Sequence, residues 1–309
     1  MELKIEGLSK HYAHGGVQAL NDVTLTIPNG MFGLLGPNGA GKSTLMRTLV
    51  TLQEADRGRV ELVLDDGEKV DVLRDKERVR ELVGYLPQDF GLYPRATAEG
   101  LLDHLATLKG IRDRKVRKET VGRLLELTNL SAAAKRPLGG FSGGMRQRFG
   151  IAQALLGDPK LVIVDEPTAG LDPEERVRFH NLLTEIGENV VVILSTHIVS
   201  DVSDLCGRMA VLHQGRLKME GTPFEAIAAM KGKVWRTLVD KQQVTQLQET
   251  HRVLSSRLLA GRNQVRAWSE TPLEGFEPAE PDLEDVYFGV MRGYVGAEAS
   301  SSGAVASAG

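Results

Sequence analysis

The chain has 309 residues, of which 41% are hydrophobic and 26% charged, the balance of a soluble globular protein and not of a disordered one. Its 38 Lys and Arg against 41 Asp and Glu leave a net charge of −3, so no global basic field exists to hold nucleic acid or anionic lipid. Cys206 is the one cysteine and cannot form an internal disulfide, Met1 to Glu6 lack the apolar core of a secretory signal, and no apolar run approaches the ~20 residues of a membrane-spanning helix.

In chain order, Leu3 to Leu8 and Val23 to Ile27 alternate in polarity and, with Arg59 to Leu64, predict a half-exposed antiparallel layer near the N-terminus. Phe32 to Leu35 is a short apolar run, and a helical pattern comes next at Leu45, Met46 and Leu49. Thr97 to Leu130 reads as helical, with Val116, Val121, Leu124 and Leu125 on its apolar side. The basic run from Arg112 to Arg123 is interrupted by Asp113 and Glu119 and holds no aromatic residue, so it reads as a solvated helix face and not as a nucleic-acid patch. Leu161 to Val164, Val190 to Leu194 and Met209 to Leu212 are β-branched apolar runs suited to a parallel sheet covered on both faces.

After Gly221 the composition changes. Lys233 to Val239, Val253 to Leu259 and Gln264 to Trp268 predict strands, and Val244 to His251 a helix. Asp282 is placed to cap a last helix carrying Leu283, Val286, Tyr287 and Val290. Gly296 to Gly309 contains only Gly, Ala, Ser, Val and one Glu, which predicts a flexible tail.

The densest chemical signal is Gly36-Pro37-Asn38-Gly39-Ala40-Gly41-Lys42-Ser43-Thr44. It fits the phosphate-loop pattern G-x-x-x-x-G-K-[ST] and lies between a predicted strand and a predicted helix, the context the pattern needs. Glycines let backbone amides close on phosphate oxygens at the helix start. Lys42 brings a cation to the β- and γ-phosphates, and the Ser43 hydroxyl suits Mg²⁺. The run Leu161 to Val164 ends in Asp165 and Glu166, two carboxylates at a strand's C-terminal end, where open α/β sheets bind ligands. Asp165 suits the Mg²⁺ shell, and Glu166 suits proton abstraction from an attacking water.

Between these elements stands Phe141-Ser142-Gly143-Gly144-Met145. Here the chain resembles the nucleotide-binding subunit of ABC transporters, whose usual signature is LSGGQ. Phe141 and Met145 depart from it, while Ser142, Gly143 and Gly144 keep it. The resemblance covers roughly residues 1 to 220 and implies further roles. Tyr12 matches the aromatic that stacks on adenine. Gln88, in Tyr85-Leu86-Pro87-Gln88, matches the glutamine that meets Mg²⁺ and the attacking water. Pro167-Thr168-Ala169-Gly170-Leu171-Asp172 matches the loop that crosses to the other subunit, Asp172 included. His197, in Ser195-Thr196-His197, matches the histidine at the γ-phosphate. The other histidines have no such context, and His11 and His14 read as loop residues.

The resemblance implies an α/β P-loop NTPase core with a mixed sheet, an N-terminal antiparallel layer and a helical subdomain at about 90–150. It also implies a nucleotide-binding domain over 1–220; beyond it, the composition predicts a small α+β accessory domain over 221–294 and a tail over 295–309. The resemblance implies ATP and Mg²⁺ as ligands, and an ATPase working as a homo- or heterodimer whose two copies sandwich two ATP molecules. A separate membrane permease would hold the pair at the cytoplasmic face of the cell membrane. Pro281 to Tyr287 is similar to the ending of many ABC-2-type exporter ATPases, which favours export. An importer subunit, or a soluble ABC ATPase acting on ribosomes or DNA, are the alternatives. A GTPase lacks support, since no Asn-Lys-x-Asp motif occurs.

Overall fold

The computed structural model describes residues 1–13, 15–188 and 190–295. His14 and the tail from Gly296 to Gly309 lie outside the described residues. The central sheet has six strands in the order Arg216–Gly221, Arg208–His213, Gly30–Leu35, Val191–Thr196, Leu161–Asp165 and Val83–Leu86. All neighbours run parallel except the first pair. The apolar runs are continuous because both faces are covered. Leu161, Ile163, Val191 and Ile193 enter one buried cluster, and Val162, Val164, Val192 and Leu194 enter another.

The first cluster is closed by the helix Lys42–Leu49 and by an antiparallel sheet of Val17–Pro28, Glu2–Tyr12, Arg57–Val63 and Lys69–Asp71. Pairing of Leu3 with Ile27 and of Ile5 with Leu25 turns the alternating apolar residues to that core. His11 belongs to this sheet and not to a loop. Its backbone N–H donates to Asp56 Oδ2 at 2.6 Å, an anchor the loop expectation overlooked.

The expected helical stretch is two helices, Ala98–Leu108 and Arg114–Leu127. The chain breaks at Gly110, whose φ is 89°, and Asp113 restarts it by accepting from the amides of Lys115 and Val116. Val121, Leu124 and Leu125 pack into a third cluster with Phe149 and Leu102, but Val116, in the first turn, is exposed. A third helix, Gly143–Ala154, completes this layer.

Beyond Gly221 lies a sheet ordered Arg252–Leu259, Arg262–Trp268, Val234–Val239 and Glu277–Pro278, with the helix Lys241–Thr250 beside it. Asp282 caps the helix Leu283–Met291 by accepting from the Asp285 amide. That helix buries Leu283, Val286 and Val290 in the cluster that contains Val199, Val202 and Met209. The C-terminal region therefore shares its hydrophobic core with the central sheet.

Candidate nucleotide site

The parallel strands end at one edge, and their register aligns the loops that continue them. Leu35 pairs with Thr196, Asp165 with Ser195, and Leu86 with Val164. The phosphate loop, the Asp165–Glu166 pair, His197 and Gln88 thus emerge side by side. The loop's glycines are fixed by close approach. Gly41 has φ 108°, and a Cβ there would lie 2.3 Å from the Ala19 carbonyl oxygen; at Gly36 it would lie 2.4 Å from that of Leu212. Gly41 begins the helix without a side-chain cap, so its first amides point freely into the cradle.

Lys42 is buried and donates from Nζ to the carbonyl oxygens of Gly36 at 2.6 Å and Pro37 at 3.3 Å. Its ammonium stands 3.8 Å from Glu166 Oε1. Burial lowers the Lys42 pKa, although the charges of Glu166 and Asp165 oppose the shift. Ser43 Oγ donates to Asp165 Oδ2 at 3.5 Å. Burial pushes the Asp165 carboxyl above its ordinary value and the Glu166 charge adds to the shift, while the Ser195 hydroxyl first, then Lys42 and Ser43, offset only part of it.

Glu166 is the strained residue of the site. It is buried with φ 51°, and its N–H donates to the Ser195 carbonyl oxygen at 2.8 Å. A bulky residue holds that conformation only where its surroundings over-determine it. The turn aims one carboxylate oxygen at Lys42 and the other at Nδ1 of His197, which it contacts closely. Tyr12 stands exposed beside the start of the phosphate-loop helix, donating to Gln53 Oε1 at 2.7 Å and lying 3.3 Å from Thr44 Oγ1. Gln88 is exposed, two residues beyond the strand that pairs with the Asp165 strand. Among the described residues it has no hydrogen bond to Ser43 or Asp165.

The signature segment stands apart. Ser142 caps the helix Gly143–Ala154 by accepting from the Met145 amide at 3.1 Å, and Ser142 and Gly143 are exposed. No hydrogen bond among the described residues joins them to the phosphate loop. Gly144 is buried beneath Glu175, where a Cβ would meet the carboxylate at 2.2 Å, and Glu175 pairs with Arg148 at 2.9 Å. Asp172 caps the helix Pro173–Gly187 by accepting from the Glu175 amide at 2.9 Å.

One cluster went unanticipated. His180, which carries no functional context in the sequence, lies against the buried carboxylate of Asp201 together with Thr168 and Arg176. The spacing of Arg176 and His180, one helical turn apart on one face, was the available signal.

Comparison with known proteins places the chain among relatives of known family. Residues 20–169 match the family model for the ABC transporter. The chain is 32% identical to the uncharacterized ABC transporter ATP-binding protein YxlF of Bacillus subtilis (strain 168), over 94% of this chain and 99% of that one. It is 34% identical to the methionine import ATP-binding protein MetN 2 of Bacillus cereus, covering 77% of this chain and 71% of the relative. The Nod factor export ATP-binding protein I of a Rhizobium species is 35% identical, covering 73% and 72%. Among solved structures, the dimeric structure of MJ0796, a bacterial ABC transporter cassette, superimposes with a TM-score of 0.63 at 27% identity, over 71% of this chain and 98% of that one.

Proposed function

This chain belongs to the ABC transporter ATP-binding family and is an ATPase with the P-loop NTPase fold, and from that premise we propose that it energises export through a separate membrane permease. ATP would close two copies head to tail, and hydrolysis would reopen them. The observation that carries this reading is the separation of two half-sites. Lys42, Ser43, Asp165, Glu166 and His197 gather at one sheet edge, while Ser142 and Gly143 stand exposed at a helix start. An exposed helix N-terminus with free amides suits a phosphate brought by another molecule.

In this reading the loop from Gly36 to Thr44 and the Tyr12 ring hold the nucleotide, and Ser142, Gly143, Gly144 and Asp172 complete the neighbouring copy's pocket. Mg²⁺, when bound, neutralises phosphate charge. The Ser43 hydroxyl and the Asp165 carboxylate, 3.5 Å apart, are the hard oxygen donors such an ion takes beside phosphate oxygens, with Gln88 joining them. Glu166 accepts the proton of the attacking water, and His197 orients the γ-phosphate. Phosphoryl transfer demands positioning and charge neutralisation more than covalent catalysis. ATP shifts the population toward the closed pair because its γ-phosphate makes contacts across the interface that ADP lacks.

We assign residues 1–220 to the nucleotide-binding domain, with its helical subdomain at about 90–150, and 221–294 to an accessory domain that caps the core. No described helix is long and apolar enough to cross a membrane. A groove of about 1100 Å³ between the core and the helical layer, with Leu52 and Leu108 exposed along it and Tyr93 nearby, offers the permease a docking place at the cytoplasmic face of the cell membrane. The similarity of Pro281 to Tyr287 to exporter endings favours export. The methionine-import relative keeps import as the second reading.

The test is complementation. Ser142→Arg and Lys42→Ala are each expected to lose ATPase activity. Their mixture contains dimers in which one site has an intact Lys42 from one copy and an intact Ser142 from the other, so it recovers activity. Mixtures no more active than either parent would refute the shared site. Copurification with an integral membrane protein is the expected company, and copurification with RNA would favour a ribosome-directed ATPase.

A further inference from the structure

We propose that Asp201 is a positioning residue for hydrolysis: its buried carboxylate ties the segment after Glu166 to the segment after His197 and so fixes the contact between those two groups. The inference rests on the roles given above to Glu166 and His197. Asp201 is wholly buried on the helix Val199–Leu205, four residues beyond His197. Its Oδ2 accepts from Thr168 Oγ1 at 2.5 Å, and Thr168 is itself buried two residues beyond Glu166. Its Oδ1 accepts from Arg176 Nε at 2.9 Å and Nη2 at 2.6 Å, and lies 2.9 Å from His180 Nε2. Arg176 also donates to Ser200 Oγ at 2.7 Å. One carboxylate thus joins three segments: the loop after Glu166, the helix capped by Asp172, and the helix after His197.

Two features make this more than a structural ion pair. Glu166 is held at φ 51°, a conformation that relaxes unless both flanks are pinned. Its strand side is pinned by the bond to Ser195, and its loop side is held by the hydrogen bond from buried Thr168 to Asp201. His197, in turn, borders a cavity of about 400 Å³, lined also by Val199, Ser200, Tyr287 and Phe288. The segment carrying His197 therefore has room to swing outward, and Asp201 holds its inner side. Losing the clamp would let Glu166 and His197 drift apart by an ångström or so while leaving the phosphate loop untouched. A misplacement of that size costs up to about 100-fold in rate.

The experiment is steady-state ATPase kinetics on the full chain. Asp201→Asn is expected to lower kcat roughly 10- to 100-fold with KM for ATP changed by less than about two-fold, a split that a loss of folded protein would not produce. In a His197→Ala background the same substitution is expected to cost less than about two-fold more, because residues acting as one unit are non-additive. Thr168→Val, which deletes a single hydrogen bond, is expected to lower kcat in the same direction, and it decides the matter if Asp201→Asn does not fold. Wild-type kcat in either variant, or losses that multiply in the double variant, would overturn the proposal. Undiminished turnover by Glu166→Gln would instead overturn the assignment of the base, a separate failure.

Discussion

The strand end that carries Asp165 and the helix that carries Asp201 each bury an aspartate, at 5% and 0% exposure, yet their electrostatics run in opposite directions. Burial pushes both carboxyls up. At Asp165 the neighbouring Glu166 adds to that push, and the Ser195 hydroxyl, Lys42 and the long contact from Ser43 offset it incompletely, so the pKa ends raised. At Asp201 the hydrogen bonds from His180, Thr168 and Arg176, with the Arg176 charge, outweigh burial, and the pKa ends lowered. A buried carboxylate whose pKa ends raised is a candidate for function, and one held low by several hydrogen bonds is a structural anchor.

The largest effect expected tests the chemical side of the contrast. Glu166→Gln keeps the shape of the site and removes the proposed base, so ATP turnover should fall by roughly 10²- to 10⁴-fold while ATP still binds. Size-exclusion chromatography with light scattering should then find an ATP-loaded dimer. A strictly monomeric loaded variant would count against the head-to-tail pair. Next in size, Lys42→Ala removes the cation that partly offsets Asp165 and the donor proposed for the phosphates. Equilibrium titration with a fluorescent ATP analogue should show affinity lower by roughly 10- to 100-fold, the worth of a charge-assisted hydrogen bond.

How far each region could be read in advance depends on how local its determinants are. The phosphate loop needs only consecutive residues, and the acids after Val164 need only a strand before them, so both were legible together with the parallel sheet that aligns them. The alternating runs at Leu3 and Val23 announced the antiparallel layer for the same reason. Asp201 draws on Thr168, Arg176 and His180, which are 33, 25 and 21 residues away, and no local pattern reports such a convergence. The strand Val83–Leu86 escaped notice because four residues, one of them Gly84, carry too little periodicity. Gly84 is there because a Cβ would lie 2.0 Å from the Ala154 carbonyl oxygen, a packing fact with no trace in the surrounding pattern.

The stability side of the contrast gives smaller effects with a definite sign. The folded pKa of Asp201 lies below its unfolded value, so its contribution is present above the unfolded pKa and is lost as pH falls through the folded one. Asp201→Asn should therefore destabilise the protein at neutral pH by about 1–3 kcal/mol, the cost of weakening a buried charged hydrogen-bond network. The deficit should shrink on acidification, as read by urea unfolding at several pH values. A deficit constant from neutral pH into the acid range would mean that the carboxylate's charge is not what the clamp uses.

Asp165 must behave in the opposite sense. Its folded pKa is raised, so the folded state binds the proton more readily than the unfolded chain. Stability falls as pH climbs from the unfolded value through the folded one, and the full penalty is present above the folded value. Asp165→Asn keeps the shape and removes the buried charge. Without nucleotide or Mg²⁺ it should therefore melt higher than the parent, by a few degrees for a gain of about 1 kcal/mol in a chain of this size. With ATP and Mg²⁺ the order should reverse, because only the parent keeps the carboxylate proposed to hold the metal and gains the full stabilisation of its bound complex. Differential scanning calorimetry in both conditions measures the crossing. A variant that melts lower than the parent without ligand would show that Asp165 is satisfied in the resting protein, and the distinction between its strand end and the Asp201 clamp would disappear.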